Sequence, residues 1–106
     1  MNSIGYYVIQ SWMVSKLKLK GLNLLVYAII FGYIQYGENH NFSGSNPYLV
    51  KMTGATRNGI QKSLKFLIDN NFIFKNTRKY KNQIFNSYTI NFDILDIKEN
   101  NVIKSH

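Results

Sequence analysis

The chain has 106 residues, the size of one domain, and its lack of cysteine excludes a disulfide frame and a thiolate metal site. Hydrophobic residues make up 45%, which argues against intrinsic disorder. Lys and Arg total 13 against 5 Asp and Glu, a net charge of +8. Such an excess suits a polyanion, either nucleic acid or anionic lipid, or else a solvated basic face.

In chain order, residues 3–9 form a short apolar lead-in and Ser11 to Leu17 offers one or two helical turns. Lys16, Lys18 and Lys20 then alternate with Leu17 and Leu19 until Gly21 breaks the pattern. The first firm helix is expected over Leu22 to Tyr36, with Asn23 as its N-cap. Leu24, Tyr27, Ala28, Phe31 and Ile34 or Gln35 fall at helical spacing, and Leu25, Ile29 and Ile30 widen the apolar surface. This predicts a central helix contacted on several sides. The uncharged run from Gly21 to Gly37 holds Asn23 and Gln35 and falls short of the roughly 20 apolar residues of a membrane span. The N-terminus lacks the layout of a secretory signal, so a cytoplasmic protein is expected.

A polar turn is expected at Gly37 to His40 and a very short strand at Asn41 to Ser43, with Phe42 facing the core. A second helix should open at Pro47, capped by Ser45 or Asn46, and end near Thr53 with Gly54 as a left-handed stop. Thr56 is the expected N-cap of a third helix, buried along Ile60, Leu64, Leu67 and Ile68, with Phe66 as a flank and ending at Asn70 and Asn71. Phe72 to Tyr80 and Gln83 to Phe92 read as strands joined by Lys81 and Asn82. Ile84, Tyr88, Ile90 and Phe92 are expected on one face. A short turn or helix is expected around Ile94 to Ile97.

This order predicts an α+β fold: a winged helix-turn-helix, with a three-helix core and a C-terminal β-hairpin as the wing. It divides the chain into an N-terminal arm (1–21), the winged helix-turn-helix domain (22–92) and a C-terminal tail (93–106). The charge follows the same division. Eight bases lie between Asn39 and Phe92 against Asp69 alone, a local net of +7.

The stretch WMVSKLKLKGLNLLVYAIIFGYIQYGENHNFSGSNPYLVKMTGATRNGIQKSLKFLIDNNFIFK, Trp12 to Lys75, carries a combined pattern. Trp-Met precedes Leu-x-Leu; Leu-x-x-Tyr-Ala-x-Ile, Phe-x-Gly-Ser-x-x-Tyr-Leu and Thr-Gly follow. In this it resembles the N-terminal winged helix-turn-helix domain of replication initiators, or replisome organisers, of phages and mobile elements in Gram-positive bacteria. The resemblance covers about two-thirds of the chain. Family members usually carry a further region for oligomerisation or helicase loading, whereas this sequence stops soon after the hairpin. The DNA-binding module is therefore what the resemblance implies.

In such a motif the second helix enters the major groove and its N-terminal residues meet base edges. Arg57 and Asn58 occupy those positions: arginine grips guanine O6 and N7, and Asn or Gln grips adenine N6 and N7. Gln61, Lys62 and Lys65 follow. Thr53, Thr56 and Ser63 are candidate phosphate ligands. On the wing, Arg78, Lys79, Lys81 and Asn82 suit phosphates or the minor groove, or else blunt an exposed strand edge. Lys16, Lys18 and Lys20 are either a second phosphate contact or solvated surface. Tyr6, Tyr7 and Trp12 read as core or dimer residues.

No catalytic set, metal site or cofactor is expected. His40 and His106 are far apart with no carboxylate cluster, Glu38 sits in a turn, and Gly54 and Gly59 do not fit a phosphate-binding loop. Tyr80 and Tyr88 read as structural.

The expected function is sequence-specific double-stranded DNA binding in replication initiation, with a homodimer and replication proteins as partners and no membrane. A transcriptional repressor of the same fold, and a protein-interaction winged helix that does not bind DNA, are the alternatives.

Overall fold

The computed structural model describes residues 7–36, 42–43 and 46–95. Four helices precede a two-stranded hairpin: α1 (Ser11–Ser15), α2 (Gly21–Tyr36), α3 (Asn46–Thr53), α4 (Arg57–Asp69), β1 (Ile73–Tyr80) and β2 (Gln83–Ile90). The fold is thus α+β, a helical core with a C-terminal wing. A short α1 stands before the three expected core helices. The expected turn at Gly37 to His40, Asn41, the Ser45 cap, Tyr6 and the tail beyond Leu95 lie outside the described residues.

α2 is the centre. Five consecutive residues, Val26 to Ile30, are buried, because α1, α3, α4 and β2 all pack around this helix. A helix apolar on every side has no other place to go. It opens at Gly21, where φ is +59°, a conformation that favours glycine. Asn23 lies inside the helix rather than at its N-cap. Its Oδ1 accepts a hydrogen bond from Ser63 Oγ of α4 at 2.8 Å.

Met13, Leu17 and Leu19 are buried against the same core, as is Leu95 after the hairpin. Trp12 meets Phe31 edge-on at 5.1 Å and Tyr27 at 6.2 Å, while its Nε1 donates to Gln10 Oε1. It packs on the core, the first of the two expected roles. Phe42 is fully buried and exchanges two backbone hydrogen bonds with Tyr88, a single rung on the second edge of β2.

β1 and β2 pair antiparallel from Ile73↔Ile90 to Tyr80↔Gln83. Lys81 and Asn82 form the two-residue turn, with φ of +49° and +64°. Both central residues left-handed is the geometry that matches the twist of the flanking strands. Strand β2 stops at Ile90, short of the expected Phe92, which begins a helical turn over residues 92–95 and is exposed. Of the four residues expected to share one face, Tyr88 and Ile90 are buried, whereas Ile84 is 67% exposed. The alternation is correct, but the hairpin outruns the helices that would cover it.

Candidate nucleic-acid interface

Two short helices joined by a sharp turn present α4. The turn is held locally. Thr53 Oγ1 donates to Leu49 O at 2.7 Å and accepts from Ala55 N at 3.1 Å, and Gly54 adopts φ +75°. Thr56 then caps α4, its Oγ1 accepting from Gly59 N at 3.0 Å. A Cβ on Gly59 would meet Thr56 Oγ1 at 3.2 Å and Leu22 Cδ2 at 3.3 Å, so this glycine lets α2 approach the first turn of α4 closely. At the far end Asn71 takes φ +64°, with Asn71 N donating to Ile68 O and Phe72 N to Leu67 O. These paired bonds are the Schellman arrangement, here with asparagine in the left-handed position.

Between its caps α4 is divided lengthwise. Ile60, Ser63, Leu64 and Leu67 are buried. Arg57, Asn58, Gln61, Lys62 and Lys65 are all exposed, on the opposite half of the helix. The structure therefore brings the expected reading residues together on one face, starting at the first helical position. Thr56 is exposed, and its hydroxyl accepts the capping bond while keeping its own proton to donate. Lys65 Nζ is bound to Asp69 Oδ2 at 2.8 Å, and that hydrogen bond and charge raise the Lys65 pKa. This lysine is restrained by an acid that an incoming phosphate would have to displace.

Two expected phosphate ligands are corrected. Ser63 is buried and gives its proton to Asn23, and Thr53 is half-buried and gives its proton to Leu49 O. Both hydroxyls hold the motif together rather than face outward.

A groove of about 750 Å³ separates α4 from the hairpin. Arg57, Gln61 and Lys65 line one wall, Lys75 and Asn86 the other, and Asn46 at the start of α3 closes one end. Leu64, Ile68, Tyr88 and Ile84 give it an apolar floor and lip. The register sorts the wing residues around it. Residues paired directly across share a face, so Lys75 with Tyr88 and Lys79 with Ile84 lie on the groove side, and Arg78 with Phe85 on the opposite face, although Phe85 at the strand edge also reaches the groove lining. Adjacent in sequence, Arg78 and Lys79 thus point opposite ways. Lys81 and Asn82 form the tip, where Lys81 Nζ sits 5.3 Å from the centre of the Tyr80 ring. The expected wing set is in one hairpin, but only part of it faces α4. Lys75, one of the eight bases between Asn39 and Phe92 and an expected phosphate contact, lines the same groove.

Among the described residues no three His, Cys, Asp or Glu cluster to hold a metal ion, and no helix is long and apolar enough to cross a membrane.

No family model matches the chain, and no curated protein matches it. Among solved structures it is similar to Stf76 from the Sulfolobus islandicus plasmid-virus pSSVx, at 20% identity and a TM-score of 0.47, over 78% of this chain and 99% of that chain.

Proposed function

We propose that the protein binds double-stranded DNA in a sequence-specific way. α4 lies in the major groove and the hairpin tip on the flanking backbone or minor groove. The observation that carries this reading is the exposed face of α4, where Arg57, Asn58, Gln61, Lys62 and Lys65 form a continuous polar strip opposite a buried strip that is apolar apart from Ser63. Arg57 and Asn58 stand at the N-terminal end, where a recognition helix meets base edges. Lys62, Lys75, Lys79 and Lys81 supply phosphate contacts. From the resemblance of Trp12 to Lys75 we place the protein in the cytoplasm, at the replication origin of a phage or mobile element, where it recruits further replication proteins. A selected site over a promoter instead would make it a repressor.

The test pairs affinity with stability on duplexes selected from random DNA. The logarithm of affinity should fall with log salt by about 0.9 per phosphate contact. Arg57→Ala should cost about 1–3 kcal/mol on the selected site and much less on random duplex, at unchanged Tm. Leu64→Ala should instead cost about 2–5 kcal/mol of folding stability, because it opens a cavity in the core. A flat salt response would reject DNA as the ligand and favour a protein partner.

One such module reads few base pairs, so we further propose that two copies occupy a repeated or palindromic site. The exposed Val8, Ile9 and Val14 offer an apolar contact for the pairing. Light scattering of the complex should give two chains per site; a single chain, free and bound, rejects the pairing.

A further inference from the structure

Ile84 has no structural task in the fold. It is 67% exposed, more than any other large hydrophobic residue described. It sits on the second rung from the hairpin tip, opposite Lys79. The first buried residue on its face is Tyr88, four positions and about 13 Å along the strand at the usual rise. Between them lies Asn86, whose Oδ1 accepts from Thr77 across the ladder at 3.1 Å. The core cannot reach Ile84, yet its side chain faces the α4 side with the groove-lining residues.

The surroundings of this isoleucine define its ligand. Lys79 stands across from it, Lys75 shares its face, and Lys81 lies at the tip. A protein surface would have to satisfy these cations one by one, whereas duplex DNA offers phosphates on both sides of an apolar base stack. The ladder runs through every rung to a two-residue turn. Isoleucine itself is stiff at χ1, so little freedom is lost when it is confined.

We infer that Ile84 is an apolar wedge that enters the minor groove and partly unstacks one base step, bending the bound DNA. This rests on the DNA-binding reading and deepens it. Apolar side chains inserted in this way kink duplexes by about 20–90° toward the major groove. With α4 in the major groove, the wedge meets the adjacent minor groove about half a helical turn away, roughly 5 base pairs from the bases that α4 reads. Pyrimidine–purine steps unstack most readily. The site therefore carries a preference for such a step at a position where no hydrogen bond reads the sequence.

The experiment measures DNA bending by energy transfer between dyes at the two ends of a selected duplex, with full-length protein. Wild-type protein should bend the duplex by about 20–90°. Ile84→Thr keeps the β-branched shape and strand preference but removes the apolar tip; it should lose most of the bend, and with it the preference for a pyrimidine–purine step. Tm should stay unchanged, since no core contact is lost. Ile84→Phe should keep the bend. Lys79→Ala should weaken binding and lower the salt slope with the bend retained. A bound but straight duplex, or an Ile84→Thr complex bent like wild type, overturns the wedge and leaves DNA binding standing. Failure to bind any duplex overturns both.

Discussion

Asn23 and Ser63 are 40 positions apart and meet through one hydrogen bond of 2.8 Å. Ser63 is 3% exposed, so its hydroxyl has no bulk water to fall back on. The bond fixes how α4 is rotated about its axis against α2, and so which side chains it turns outward. Asn23→Ala should cost about 1–3 kcal/mol by leaving a buried donor without its partner. Adding Ser63→Ala should return part of that loss, a coupling of about 0.5–1.5 kcal/mol in a double-mutant cycle read by denaturant melts. Purely additive losses would mean that the bond does not set the helix. At this scale the sequence was partly legible. Thr56, Gly54 and Asn71 act as expected, because caps and left-handed stops depend on a few adjacent residues. Asn23 was read as a cap because the same side chain suits a helix start and a cross-helix bond, and only the packing of α4 distinguishes them. Ser63 was misplaced for the same reason.

The hairpin shows what an element can do once it leaves the core. Its turn was legible without a glycine, since Lys81-Asn82 sits between two alternating runs. The reach of the ladder was not legible, because it depends on where α2 and α4 end in space. An isolated two-stranded hairpin is marginal in water, so its outer rungs serve an external contact better than they serve stability. If that contact is a DNA backbone, Lys79→Ala with Lys81→Ala should weaken binding to all sequences alike and lower the salt slope by about 2. Arg78→Ala, on the outer side of the ladder, should lower it less. Equal effects of Arg78 and Lys79 on the slope would contradict the face assignment made from the register.

Across the whole molecule, function and stability draw on separate residues. The charges proposed to face DNA lie on the rims of α4 and the hairpin, while the buried core of the described residues is apolar apart from Ser63 and Asn91. Acid meets few carboxylates among the described residues. Among the described residues the carboxylates are Asp69 and Asp93, both exposed, and the Lys65–Asp69 pair lies at the surface, where such pairs add little. Alkali meets a different structure. Burial raises the phenol pKa of Tyr27 and of Tyr88, and burial followed by the nearby Tyr33 raises that of Tyr48. In the unfolded chain these phenols ionise near pH 10. Groups whose pKa is raised on folding contribute stability below their unfolded value and lose it as pH climbs toward the folded one. Tm should thus stay nearly level from about pH 5 to 10 and fall steeply above. Tyr27→Phe should flatten that alkaline limb. The aromatic packing that holds α2 at the centre makes base a solvent condition that opens this fold.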